Sequence, residues 1–146
     1  MEKPNYLTWD DMEIGMEGPT KVFTVTAEKT EQYGLAVEDL NSLFFDEKIA
    51  GESEWGGRIA HPTTAAMYAL GSPVLSDKVN PPGRVHAKQY YEFHRPARLG
   101  DVLTVRTVIA DKYVKRERKY IVTETVAVDG SGRKIVTSRG TGIWPL

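Results

Sequence analysis

The sequence predicts an α+β domain in which an antiparallel sheet wraps or covers one apolar helix. Two observations carry this. In the carboxy-terminal half, four runs rich in β-branched and aromatic residues follow one another at 85–93, 102–109, 120–128 and 134–143, with much apolar–polar alternation, the pattern of half-buried strands. Near the middle, Pro62-Thr63-Thr64-Ala65-Ala66-Met67-Tyr68-Ala69-Leu70 is small and largely apolar, the composition of a helix buried against such a sheet.

Taken in order, residues 9–16 mix isolated large apolar groups with acids and a glycine and read as an ordered lead-in packed on the body. Residues 21–25 are a short β-rich run, and Thr26 can cap a helix carrying Glu28 in its first turn and placing Tyr33, Ala36 and Val37 toward one side. Between residues 38 and 57 the chain is polar and aromatic by turns, punctuated by Gly51, Gly56 and Gly57, so regular structure should be short there. Pro62 suits the first turn of a helix, where its missing N–H costs nothing. Leu99-Gly100-Asp101 is a turn signal before the second carboxy-terminal strand, and Asp129-Gly130-Ser131-Gly132 is a strong hairpin signal between the last two. The four runs are therefore expected to form a meander.

The chain has 146 residues, enough for a single domain (1–146) that buries roughly 68–70% of its unfolded surface. Its net charge of −1 is a poor footprint for a nucleic-acid binder. With no cysteine and three scattered histidines, thiolate nucleophiles, disulfides, Fe–S clusters and thiolate zinc sites are excluded, and a metal site is not expected. No run approaches the ~20 apolar residues of a membrane span, and Met1-Glu2-Lys3-Pro4-Asn5 leads into no apolar run; the expectation is a cytoplasmic protein. No Gly-x-Ser-x-Gly occurs, and Gly140-Thr141-Gly142 lies near the end of a predicted strand with no helix after it, so neither serine catalysis nor dinucleotide binding fits.

The densest candidate for chemistry is Glu38-Asp39-Leu40-Asn41-Ser42-Leu43-Phe44-Phe45-Asp46-Glu47, followed by Gly57-Arg58-Ile59-Ala60-His61-Pro62-Thr63-Thr64. Together with Phe93-His94-Arg95-Pro96 and Leu99-Gly100-Asp101, these segments resemble the MaoC-like hydratase/dehydratase family, most closely its amino-terminal type of dehydratase domain. The likeness runs from about Trp9 to Trp144. It implies the hotdog fold, a sheet wrapped around a central helix opened by the Ala-His-Pro segment. It also implies an acyl-CoA or enoyl-CoA substrate, with coenzyme A present only as part of that substrate and no cofactor.

In active members of that family an Asp and a His five residues further on activate the water, and a backbone N–H after a histidine at the helix start polarises the thioester carbonyl. The Asp falls on Asp39; five residues on stands Phe44, and after His61 stands Pro62, which has no N–H to give. General acid–base catalysis is worth about 10²–10⁴-fold and one oxyanion donor about 10²–10³-fold, so a chain lacking both is slow alone. Asp39 is nevertheless the catalytic candidate, with Asn41, Phe44, His61, Thr63 and Thr64 as substrate-binding candidates; Thr63 and Thr64 sit where a helix N-terminus can receive a carbonyl oxygen.

Each residue also has a structural reading. Asp39 and Asn41 can cap or shape a turn, Phe44 and Phe45 can be core or interface aromatics, and His61 can fix the helix start. His86 and His94 fall on strand residues and read as structural. Lys112, Lys115, Arg116, Arg118 and Lys119 would suit coenzyme A phosphates, though a basic hairpin tip is also what a solvated turn looks like.

The leading expectation is a hydro-lyase subunit, the acyl-thioester-binding half of an enoyl-CoA hydratase or 3-hydroxyacyl-CoA dehydratase, in a homodimer or a hetero-oligomer with a catalytic MaoC-type hotdog subunit. The alternatives are a self-sufficient hydratase with a rearranged site around Asp39 or His61, a non-catalytic acyl-CoA binding module, and a thioesterase.

Overall fold

The computed structural model describes residues 4–71 and 77–145. Met1 to Lys3, the start of the segment read above for targeting signals, lie outside them. Five strands form one antiparallel sheet: β1 (Lys21–Thr24), β2 (Val85–Phe93), β3 (Val102–Lys115), β4 (Arg118–Val128) and β5 (Lys134–Trp144), in the order β1-β3-β4-β5-β2. Only β3, β4 and β5 form a meander. β2 does not pair with β3 as a four-strand meander requires; it crosses to the far edge and lies antiparallel to β5, with Val85 opposite Ile143 and Phe93 opposite Val136. Register shifts after His86, Ile109 and Ala127 bend the sheet around the helix.

The strand ends agree with the sequence where turn chemistry marks them. Asp129 accepts from the Ser131 and Arg133 amides, and Gly132 sits at φ +78°, closing the β4–β5 hairpin. These bonds hold the Asp129 carboxyl below its usual range. The β3–β4 turn uses Arg116 and Glu117 at φ +49° and +60°, a two-residue hairpin of the mirror-image type built without glycine. The lead-in packs as expected: Met12 is buried with Leu7, Ile109, Ile121 and Trp144, and Trp9 and Met16 pack against them; just before it, the Leu7 carbonyl accepts from the Trp144 indole.

Helix α1 (Ala27–Ala36) starts where Thr26 accepts from the Lys29 amide. Its inward residues are Thr30 and Gly34; Ala36 and Val37 are exposed. The expected face is therefore displaced. Gly34 explains this, because a Cβ there would lie 2.8 Å from the Phe45 ring, so the closest approach to the rest of the chain is at the smallest residue. Two short helices follow, α2 (Ser42–Phe45) and α3 (Glu47–Glu52), capped by Asn41 and Asp46.

The central helix is shorter than the sequence predicts. A 3₁₀ turn at Pro62–Thr64 leads into a single α turn, α4 (Ala65–Tyr68). Ala65 and Ala69, four apart, lie fully buried in a core shared with Leu103, Val105, Ala127 and Val136 of the sheet. The helix ends because the sheet takes its carbonyls: Ser138 Oγ donates to the Ala69 carbonyl and Thr123 Oγ1 to that of Gly71. Gly71 adopts φ +68°, and a Cβ on it would lie 2.8 Å from both the Thr123 and Thr125 hydroxyls. Among the described residues, no helix is long and apolar enough to cross a membrane.

Candidate active site

Asp39 owes its position to the end of α1. The Glu38 amide donates to the Leu35 carbonyl and the Asp39 amide to that of Gly34, with Glu38 at φ +57°; this is the paired closure of a helix by a left-handed residue. From there Asp39 Oδ1 accepts from the Asn41 amide, and Asn41 Oδ1 accepts from the Leu43 amide. Asn41 thus caps α2 and sets the register that turns Phe44 inward.

Arg58 fastens this segment to the body. Its Nε donates to the Phe44 carbonyl and one terminal nitrogen to Glu31 of α1, both at 2.8 Å, and only 10% of its side chain is exposed. A charge-assisted bond from a mostly buried guanidinium is among the stronger polar contacts available. Arg58 belongs to the Gly57–Thr64 motif, and its signal in the sequence is a lone arginine two residues before the helix-opening Ala-His-Pro.

His61 is where the two motifs meet. Its Nδ1 accepts from the Thr63 amide at 3.2 Å and lies 2.9 Å from the Thr63 hydroxyl. An accepting Nδ1 leaves the proton on Nε2, which donates to Asp39 Oδ2 at 3.0 Å. The ring lies between Phe44, 5.1 Å away, and Tyr33, 5.6 Å away, and the Tyr33 hydroxyl bonds Thr63. Sequence spacing could not show this pairing, because Asp39 and His61 are 22 residues apart.

Phe44 is 5% exposed: its ring packs against the imidazole, tilted by 55°, and supplies no proton acceptor. The amides at the helix start are engaged. Pro62 has none, Thr63 donates to His61, Thr64 donates to the His61 carbonyl, and Ala65 to the carbonyls of Pro62 and Thr63. Thr64 is buried and its hydroxyl has no partner among the described residues. So the six candidates divide. Asp39, Phe44, His61 and Thr63 form one contact network, Asn41 shapes its approach, and Thr64 stands at its buried side.

Beside His61 opens a groove of about 300 Å³, walled by Trp55, Ile59, Tyr68, Phe93, Pro96 and Ile135 and carrying His94 and Arg95 at its edge. His94 bonds the Thr137 hydroxyl. The basic tip lies elsewhere: Lys115 and Arg118 pair at one end of β4, whereas the groove meets the sheet at Phe93 and at Ile135, which lies beside the other end of β4. Lys112 and Lys119 lie over the Trp9 ring, so two of the five cations serve the lead-in. Among the described residues, no three His, Asp or Glu side chains gather where they could hold a metal ion.

Residues 12–138 match the FAS1-like, dehydratase domain region. The chain belongs to that dehydratase family. It is a MaoC-like hotdog domain, as the sequence resemblance implied. The 3-hydroxybutyryl-CoA dehydratase of Methylorubrum extorquens is 29% identical over 133 residues, covering 85% of this chain and 80% of that protein. Among solved structures, the R-hydratase PhaJ1 from Pseudomonas aeruginosa superposes with a TM-score of 0.75 at 19% identity, over 97% of this chain and 88% of that one. The HadBC (3R-hydroxyacyl-ACP dehydratase) complex from Mycobacterium tuberculosis gives 0.72 at 22% identity, over 89% and 96%. These two likenesses concern the fold.

Proposed function

We propose that this MaoC-like hydratase/dehydratase domain is the acyl-thioester-binding subunit of a two-chain enoyl-CoA hydratase or 3-hydroxyacyl-CoA dehydratase, with a partner hotdog chain supplying the water-activating groups. The carrying observation is the state of the helix start: beside the groove, Phe44 offers no base and the amides of residues 63–65 are all bonded within the turn. A carbonyl oxygen placed there finds apolar walls but no free main-chain donor. What such a wall does well is hold an acyl chain, since apolar lining with few polar groups is how small-molecule sites gain affinity. Coenzyme A enters this reading only as part of the substrate, with no resident cofactor, and the working place is the cytoplasm.

The edge strand β2 supports a partner. Its outer edge faces no strand among the described residues, and Val85, Tyr90 and Phe93 on it are each about half exposed. A long edge with exposed apolar groups favours strand addition by a second copy or a related chain, and Phe93 belongs also to the groove. The HadBC structure named above is itself a complex.

One observation favours a second reading, a self-sufficient hydratase. The Asp39–His61 contact gives a carboxylate held by a neutral imidazole, with 45% of the Asp39 side chain exposed; Asp39 would then be the base. Hydration of crotonyl-CoA separates the two. On the leading reading the isolated protein binds the thioester and hydrates it negligibly, and added catalytic partner restores turnover. Phe44→His raises the rate slightly and Phe44→His with Pro62→Gly raises it more than the product of the single effects, because both act on one transition state. Robust hydration by the unmodified protein alone, lost in Asp39→Asn, would establish the second reading instead.

A further inference from the structure

Two grooves flank the central helix and share a single lining residue, Tyr68. One is the groove beside His61. The other, about 350 Å³, lies on the β1 side and is walled by Val22, Phe23, Ala66, Met67, Leu70 and Val105, with Lys21 at its edge. Tyr68 is the last residue of α4. Its ring leans on Phe23, centroids 4.8 Å apart, and packs against the core beneath the helix.

We propose that Tyr68 sets the length of acyl chain the site accepts, by closing the His61 groove against the groove on the β1 side. The inference rests on the acyl-thioester reading above. Three features support it. The ring is the shared wall, so whatever enters beside His61 and runs along the helix meets it before reaching Phe23. Met67 and Leu70, which line the second groove, are half exposed, so an alkyl tail that passed Tyr68 would cover apolar surface now facing water. Desolvation also pushes the Tyr68 phenol up to about 12; the plug is neutral at any working pH and presents no charge to an alkyl chain.

A methylene moved from water to an apolar wall is worth about fourfold in affinity. Affinity should therefore climb with chain length while the groove fills, and stop climbing at Tyr68. The experiment is a calorimetric series of butanoyl-, hexanoyl-, octanoyl-, decanoyl- and dodecanoyl-CoA. It uses the protein alone and co-purified with a MaoC-type partner chain, with Tyr68→Phe, Tyr68→Leu and Tyr68→Leu/Ala66→Phe alongside. Tyr68→Phe should keep the unmodified cut-off, because the ring and not the hydroxyl is the stop. Tyr68→Leu should continue to gain about fourfold per methylene beyond that length. Ala66 is exposed in the second groove, so adding Ala66→Phe should fill that space and restore the cut-off. Should Tyr68→Leu not fold, Phe23→Leu removes the ring on which Tyr68 leans, and the same lengthening is expected. A cut-off that ignores every one of these changes overturns the role of Tyr68 and leaves the thioester reading standing. No binding of any chain length to the unmodified protein, with or without partner, overturns both.

Discussion

The two ends of the central helix are closed by different means. At its start, His61 closes the turn with its own side chain and with bonds no more than a few residues long: Nδ1 takes the Thr63 amide and the main chain takes those of Thr64 and Ala65. At its finish, the carbonyls of Ala69 and Gly71 are taken by Ser138 and Thr123, hydroxyls more than 50 residues away on the sheet. A locally closed end is self-contained, so its donors are withheld from a ligand. A remotely closed end ties the helix length to the sheet.

The sharpest way to break this arrangement is at the finish. Gly71→Ala forces a non-glycine residue to φ +68° and drives a Cβ to 2.8 Å from two hydroxyls that themselves bond the helix end and Thr107. Left-handed backbone costs about 1 kcal/mol or more for a residue with a Cβ, and displacing the hydroxyls adds broken buried bonds. A loss of about 3 kcal/mol is expected in urea unfolding. A change below about 1 kcal/mol would show that the helix end is not held by close approach to the sheet.

Ser138→Ala comes next. It leaves the Ala69 carbonyl without its donor in a region where Ala69 is fully buried, and a stranded buried acceptor costs about 1–3 kcal/mol. Hydrogen exchange should show the Ala69 amide, which closes α4 by donating to Ala65, losing protection along with global stability. At the start of the helix the same logic gives a smaller effect, since the contacts there are partly exposed. His61→Ala should cost about 1 kcal/mol, the usual worth of an amino-terminal cap. His61→Asn should recover most of it, because asparagine can accept from the Thr63 amide. If His61→Asn is no better than His61→Ala in thermal melts, the Asp39 contact, and not the cap, is what His61 contributes.

That asymmetry also accounts for what was legible in the sequence. Thr26, Asn41 and Asp46 act within a few residues of themselves, and Asp129 and Gly132 close a hairpin by their own chemistry, so the start of α1 and the hairpin are legible residue by residue, whereas the buried face of α1 is not. Pro62 at the helix start follows from the same local logic. The early end of α4 did not, since it depends on Thr123 and Ser138 facing inward, and a threonine in a strand pattern carries no mark of which face it takes. The crossing of β2 is likewise a matter of long-range pairing. In the site, Asp39 and Phe44 were singled out by the family resemblance alone. The contact of Asp39 with His61 and the anchoring of Phe44 by Arg58 were not legible, because each joins segments whose approach is set by Gly34 and the end of α1.

The end of α1 is a third case, closed locally by the main chain alone, and it yields the smallest expected effect. Glu38 occupies the left-handed position, φ +57°, where helices most often place glycine. Its amide and that of Asp39 make the closing bonds, and neither needs a side chain. Glu38→Gly therefore removes the Cβ penalty of about 1 kcal/mol and keeps both bonds. Part of the gain is offset by the greater freedom of glycine in the unfolded chain, leaving a net stabilisation of about 0.5 kcal/mol. Because Asp39 hangs from this closure, acyl-CoA affinity should stay unchanged while the melting temperature rises slightly. A variant that melts lower, with weakened acyl-CoA binding, would mean that the Glu38 side chain itself holds the turn, and that Asp39 is placed by something other than the main-chain closure of α1.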